Sequence, residues 1–313
     1  MFANRTLNLR SVAAIGYDMD YTLIHYRTEE WESVAFDHAR RVLAERGFPV
    51  QGMVFEPDRF IQGLVVDLER GNLLKATRFG YVVKAYHGTT PLTFEQVRAA
   101  YAGDVVDLNE PRFRFLNTLF SLSEAALYAQ LVDRLDAGEF SGPPLGYDEL
   151  CRAVVTAVNE SHALGALKAE IIADPDRFCL LDDDTAAALL DQRLAGKRLM
   201  LITNSDWAYT QPMMSYAFDR AASKHLPGAT WRDMFDFVVV AAAKPRFFAE
   251  QAPAYRVVDL ERGLLEPHRG PLQPGQVYHG GSAALIEQSL GLAGDEILYV
   301  GDHLFGDVHV LKR

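Results

Sequence analysis

The chain has 313 residues, 49% of them hydrophobic and 23% charged, with a formal net charge of −11. That composition describes a globular protein with core material for about two domains. It disfavours non-specific nucleic-acid binding but leaves an anionic small substrate open, because local charge overrides global charge.

Cys151 and Cys179 are far apart, which argues against a disulfide framework and against a cysteine-based zinc site. They fit a reducing cytosol. Met1 to Leu7 carry no secretory apolar region, and no charge-free apolar run is long enough to span a bilayer. A cytoplasmic location is therefore expected, with neither a membrane nor a nucleic-acid polymer as partner.

Taken in chain order, the first element is the apolar run Val12 to Tyr17, which ends in Asp18 and Asp20. A short apolar run bounded by polar residues reads as a buried strand of a parallel sheet. The carboxyl end of such a strand is where open α/β sheets place their ligands. Two carboxylates this close repel unless a cation or a proton intervenes; the plainer alternative is a turn whose acids face water. A helix follows from Thr28, with Val34, Ala35, Ala39, Val42 and Leu43 at helical spacing and Gly47 and Pro49 as its stop. Glu29, Glu30 and Glu32 lie near its start, where the helix dipole favours acids.

Residues 49–175 have a different texture. A hairpin is expected over Gly63–Asp67 and Leu73–Ala76, then helices over Leu116–Leu135 and from Tyr147 to Leu164. This stretch reads as an inserted cap of mixed α+β character, leaving 1–48 and 176–313 as a discontinuous core. Asp182-Asp183-Asp184 reads as a solvated helix cap before Ala186–Leu194. The α/β alternation then resumes. Strands are expected at Arg198–Ser205, with a polar end, Phe235–Ala241 and Glu296–Asp302, with a hairpin at Tyr255–Asp259 and Gly263–Leu265 and a helix at Ser282–Leu290.

Four buried strands thus end in chemically unusual groups: Asp18 and Asp20; Thr203, Asn204 and Ser205; Lys244; and Asp302 with Asp307. A parallel sheet brings all four ends to one edge. Carboxylates there suggest Mg²⁺, a hard cation that takes oxygen ligands, and the missing histidine–cysteine spacing argues against zinc. A lysine, a hydroxyl and an amide add what a phosphoryl group needs: charge compensation and hydrogen-bond donors. Singly, Thr203 and Ser205 read as helix caps, Asp307 as a cap, and His25 and His303 as structural.

Asp18-Met19-Asp20-Tyr21-Thr22, Thr203-Asn204-Ser205, Lys244-Pro245 and Gly301-Asp302-His303-Leu304-Phe305-Gly306-Asp307 resemble the four motifs of the haloacid dehalogenase superfamily. Flanking words narrow the resemblance to the cytosolic purine 5'-nucleotidases of the IMP/GMP-preferring type. They include Leu201-Ile202-Thr203-Asn204-Ser205-Asp206, Ala243-Lys244-Pro245-Arg246-Phe247-Phe248 and Val277-Tyr278-His279-Gly280-Gly281-Ser282. The cap matches at Leu116-Asn117-Thr118-Leu119-Phe120 and at His162-Ala163-Leu164-Gly165-Ala166-Leu167-Lys168.

The resemblance implies an α/β fold with a Rossmann-like core and a cap. It also implies a Mg²⁺-dependent hydrolase of purine nucleoside 5'-monophosphates that forms a homo-oligomer; a transferase that passes phosphate from Asp18 to a second nucleoside would use the same residues and stays open. Asp18 would be the nucleophile, Asp20 the general acid and base, and Lys244 the catalytic cation. Mg²⁺ would be held by the Asp18 and Asp302 carboxylates and the Asp20 carbonyl, with Asp307 supporting it or orienting Lys244. Thr203, Asn204 and Ser205 would bind the phosphoryl group; Phe120, His162 and Lys168 would bind substrate from the cap. Val155 and Asn159 stand where the family pattern has an arginine and an acid. A phosphatase for another phosphomonoester and an idle interaction module are the rivals; retention of Asp18, Asp20, Lys244 and Asp302 weighs against the second.

Six residues after Asp307 make less than two helical turns, so a C-terminal continuation is expected, with apolar side chains exposed around Ile297, Tyr299 and Val300.

Overall fold

The computed structural model describes residues 8–116, 121–163, 165–225, 227–303 and 307, with 162, 163 and 225 by backbone only. The chain divides into two compact units, Met1–Tyr26 with Asp174–Arg313, and Arg27–Ala173.

The first unit is an α/β unit built on a seven-stranded sheet. Its strands are β1 (Ala14–Tyr17), β2 (Arg198–Ile202), β3 (Phe237–Val240), β4 (Ala254–Asp259), β5 (Leu264–Pro267), β6 (Gln276–Gly280) and β7 (Ile297–Val300), in the order β5-β4-β6-β3-β2-β1-β7. Five neighbours, β6-β3-β2-β1-β7, run parallel; β4 and β5 add an antiparallel edge. The arrangement is Rossmann-like. β1, β2 and β3 are almost wholly buried, as strands covered on both faces must be, which is why they read as continuous apolar runs. Met200, Ile202, Phe237, Val239 and Tyr278 pack with Phe247, Leu272 and Ile286 into one core. Along the edge strand β7 all four residues are half-buried, Ile297, Tyr299 and Val300 included.

Two details of the sheet were not expected. β6 is a full parallel strand, although its sequence, Gln276-Val277-Tyr278-His279-Gly280, mixes polar and apolar residues. Gly16 in β1 faces Tyr299 of β7 so closely that an added Cβ would lie 3.0 Å from the tyrosine ring and 3.1 Å from Ile202. The β4–β5 turn is as read. Gly263 takes φ 67° and the Asp259 carboxylate accepts from the backbone of Glu261 and Arg262, an Asx turn. Asp182 caps the helix Asp183–Leu194, accepting from the Asp184 N–H.

The second unit pairs a five-stranded antiparallel sheet with helices. The hairpin Val65–Asp67 with Asn72–Ala76 is present. The helix expected from Leu116 begins at Leu122 instead, because Phe113–Phe115 is a strand on Val65–Asp67 and the Leu116 N–H continues the pairing to the Leu64 carbonyl. The helix Thr28–Glu45, read with the outer segments, lies in this unit. Phe36, Ala39 and Leu43 share a core with Leu127, Val132, Leu150 and Val154 on Leu122–Asp136 and Tyr147–Ala163. Helical spacing shows that a face is buried but not against what. The unit boundaries therefore fall after Tyr26 and Ala173 rather than at 48 and 175.

Glu32 is wholly buried in this unit and accepts from the N–H groups of Ser123 (2.7 Å) and Leu122 (3.3 Å), at the start of the helix Leu122–Asp136. It caps from another element two donors that the helix cannot satisfy itself.

Candidate active site

The carboxyl ends of β1, β2, β3 and β7 carry the chemistry. Asp18 follows β1, and its N–H is held by the Val300 carbonyl of β7 at 2.9 Å. Past β3 the chain reaches Lys244 through two left-handed alanines, Ala241 (φ 47°) and Ala243 (φ 60°). Such residues cost about 1–3 kcal/mol each and persist only where neighbours over-determine them. Here the Ser205 and Thr203 carbonyls hold the N–H groups of Ala241 (2.8 Å) and Ala242 (3.0 Å). Asn204 brackets the destination: its Oδ1 accepts from the Lys244 N–H (2.7 Å) and its Nδ2 donates to the Lys244 carbonyl (3.1 Å).

The Lys244 side chain is 3% exposed. Its ammonium meets Asp18 Oδ2 at 2.7 Å, Asp307 Oδ1 at 3.1 Å and the Tyr299 hydroxyl at 2.6 Å. Tyr299 in turn donates to the Ile202 carbonyl at 3.0 Å, so its ring crosses the space above Gly16 to tie β7 to the end of β2. Asp307 exchanges bonds with His303: its N–H donates to the His303 carbonyl and its carboxylate accepts from the His303 N–H. That arrangement needs Gly301, where a Cβ would come within 2.4 Å of the Asp307 carboxylate.

Asp18, Asp302 and Asp307 form the acidic cluster, with one oxygen from each lying within 4.8 Å of the others. Asp18 and Asp307 are buried and Asp302 is exposed. Burial pushes the Asp18 carboxyl up to about 7 despite the Lys244 ammonium, and the charges of Asp20 and Asp307 add to the effect. Burial, then Asp307, raises Asp302. Three carboxylates against one ammonium leave negative charge uncompensated in a partly dry site. With an all-oxygen donor set, the residues fit a hard divalent cation.

Asp20 is half-buried and its carboxylate is not in that cluster. Oδ1 accepts from the Tyr26 hydroxyl at 2.6 Å and Oδ2 from the Ser205 hydroxyl at 2.8 Å. Tyr26 and Tyr209 place their hydroxyls 3.1 Å apart, both rings buried.

Two of the residues expected to bind the phosphoryl group have partners within the chain. Asn204 engages the Lys244 backbone with its carbonyl and an amide hydrogen, and the Ser205 hydroxyl donates to Asp20. Thr203 is fully buried and its Oγ1 accepts from the Ser205 N–H at 3.1 Å. Lys168 lies on the helix Ala166–Ala173 of the second unit, half-buried. Phe120 and the His162 side chain fall outside the described residues. Tyr26, Tyr209 and Tyr299 were missed, since a tyrosine in a strand or helix gives no local sign that its hydroxyl reaches an acid or a lysine.

A largely parallel α/β sheet whose carboxyl edge gathers three carboxylates around a buried lysine defines a site for an anionic group together with a cation. Comparison with known proteins narrows that class. A sequence model described as the 5' nucleotidase family matches residues 1–313. The chain is 31% identical over 325 residues to human 5'-nucleotidase domain-containing protein 2, covering 98% of this chain and 59% of that protein. It is also 31% identical to the rat protein of the same name, covering 98% of this chain and 56% of the relative. The chain belongs to the 5' nucleotidase family. It spans less than two thirds of the length of these curated relatives.

Proposed function

We propose that this chain hydrolyses nucleoside 5'-monophosphates, purines by preference, with Mg²⁺ and through an aspartyl-phosphate, on a haloacid dehalogenase-type core in the cytosol. The observation that carries the reading is the Lys244 ammonium, buried between Asp18 and Asp307, while Asp20 is held apart from them by two hydroxyls. One carboxylate is thereby kept for the cation and the phosphoryl group, and another for proton transfer. Membership of the 5' nucleotidase family supports the substrate class.

In this mechanism an Asp18 oxygen forms a bond to phosphorus as the bond from phosphorus to the ribose 5'-oxygen breaks. The electron pair leaves on that oxygen, which takes a proton from Asp20. A water then attacks phosphorus and gives its proton to Asp20. The bond from Asp18 to phosphorus breaks, its electron pair returns to Asp18, and phosphate departs. A nucleoside hydroxyl in place of that water gives phosphotransfer.

Lys244 offsets charge on the transferring group and orients Asp18. Thr203 and Asn204 shape the loop that receives the phosphoryl oxygens. Asp18 and Asp302, with Asp307 beside them, would hold the cation. When bound, it neutralises charge so that one anion can attack another. The second unit would serve as the cap that selects the base.

The test is phosphate release from purine and pyrimidine monophosphates in Mg²⁺, with and without excess chelator. Purine nucleotides should turn over fastest and chelator should silence them. Release from none of them, or undiminished release in chelator, refutes the reading.

A further inference from the structure

The groups around Asp20 are more specific than a solvated acid needs. Both of its carboxylate oxygens accept from neutral hydroxyls, Tyr26 on one and Ser205 on the other. Each donor is fixed by a different element. Tyr26 lies in the short strand His25–Tyr26, which pairs antiparallel with Cys179–Leu180. Between Asp20 and Tyr26 the chain makes a tight turn, with Tyr21 at φ 54° and the Met19 carbonyl accepting from Leu23 (2.9 Å) and Ile24 (3.0 Å). Ser205 sits at the end of β2, its N–H bound to Thr203 Oγ1. Tyr209, whose hydroxyl meets that of Tyr26, stands in the first turn of the helix Trp207–Met214, where Asp206 Oδ1 accepts from its N–H at 2.9 Å. Tyr26 and Tyr209 are 3% and 2% exposed, so water does not compete for these bonds.

A carboxylate held at both oxygens cannot rotate about its own axis. Nor can it swing toward Asp18, Asp302 and Asp307, the alternative that a nearby cation would favour.

We propose that Tyr26 and Ser205, with Tyr209 behind Tyr26, are positioning residues. They keep the Asp20 carboxylate turned to the leaving oxygen and out of the acidic cluster. This rests on the reading of Asp20 as general acid and base given above, and it assigns the fixing of that group to three hydroxyls. Its consequence is selective. Expelling a ribose alkoxide needs the proton from Asp20, whereas expelling a good leaving group such as p-nitrophenolate does not. Hydrolysis of the aspartyl-phosphate needs Asp20 as a base for either substrate.

The test compares Tyr26→Phe, Ser205→Ala, Ser205→Thr and Asp20→Asn with the wild-type chain, on a nucleoside monophosphate and on p-nitrophenyl phosphate in Mg²⁺. General acid–base catalysis contributes about 10²–10⁴-fold, and misplacing the group forfeits part of it. Tyr26→Phe and Ser205→Ala should therefore lower kcat on the nucleotide by about tenfold or more, with KM changed less than about threefold. On p-nitrophenyl phosphate both should show a rapid burst of p-nitrophenolate, one per enzyme, before a slow steady state. Ser205→Thr, which keeps the hydroxyl, should recover most of the nucleotide rate. If Asp20→Asn keeps the wild-type nucleotide rate, the reading of Asp20 itself falls, and the proposal with it. If Asp20→Asn is slow, positioning is refuted by either of two results. One is full nucleotide activity in Tyr26→Phe and Ser205→Ala; the other is an equal loss on both substrates without a burst.

Discussion

Replacing Glu32 by glutamine should change how stability depends on pH. The side chain is wholly buried, and burial raises its carboxyl from 4.5 to about 7 although the Ser123 and Leu122 N–H groups pull it down. Below its unfolded value the group is protonated in both states. As pH rises through the window from 4.5 to about 7, the unfolded chain releases the proton and the folded chain keeps it. The folded state then binds more protons, so stability falls with pH and levels off above the folded value.

At about 1.36 kcal/mol per unit, a shift of this size costs roughly 3 kcal/mol when complete, of which roughly 2 accrues between about pH 5.5 and pH 8. Glutamine does not ionise, so this dependence disappears. It also keeps only one oxygen where two N–H groups point, at a cost of about 1–3 kcal/mol that does not vary with pH. The sign of the effect at any single pH is therefore less informative than its slope. Relative to wild type, Glu32→Gln should gain about 2 kcal/mol on going from about pH 5.5 to pH 8. Urea unfolding of both proteins at four or five pH values, followed through the transition that the variant moves, measures it. Parallel stability curves, within about 0.5 kcal/mol across that range, would show that Glu32 is ionised in the folded protein throughout and that the reasoning fails.

Three further outcomes concern the site. Asp18→Asn should abolish turnover with the fold intact, because an amide cannot form the acyl-phosphate; more than about a tenth of wild-type phosphate release would remove Asp18 as nucleophile. Lys244→Met should be inactive and should lose about 3–5 kcal/mol of stability, because it strips the buried Asp18 and Asp307 carboxylates of their shared counter-ion. Adding Asp307→Asn should restore part of that loss in thermal unfolding, and additive effects would contradict the electrostatic account. Ca²⁺ in place of Mg²⁺ should support little phosphate release, since its larger, looser shell misplaces the reacting groups; equal rates with the two ions would count against a rigid octahedral site.

The edge where the strand ends meet was the most readable part of the chain because its strands are covered on both faces. Val12–Tyr17 and Arg198–Ile202 must be apolar throughout, so a polar residue marks the strand end sharply. β6 escaped because a strand with tyrosine, histidine and glutamine has no such contrast, although Tyr278 is fully buried in it. That Asp18, Lys244, Asp302 and Asp307 meet at one edge was legible from residue type and order. What Asn204, Ser205 and Tyr299 do was not, since each acts on a partner about 40 to 185 residues away, a distance no local pattern encodes. The helix Thr28–Glu45 shows the same limit at larger scale: its buried face was evident, but not the partner helices.

Gly16 makes two positions of the protein answer to each other. The ring that ties Lys244 to the strand ends lies 3.0 Å from where any other residue at position 16 would carry its Cβ. An alanine there is therefore not a small change in a strand. It presses on the Tyr299 ring and on Ile202, which must give by a few tenths of an ångström, and so disturbs the neutral hydroxyl that shares the lysine with two acids. A side chain larger than alanine at 16 would ask the ring for a larger shift, and with it strain the hydroxyl that accepts from the ammonium. The two positions should therefore be coupled: the cost of alanine at 16 in urea unfolding should be smaller when residue 299 is already truncated than when it is tyrosine, and equal costs in the two backgrounds would show that the ring does not sense residue 16.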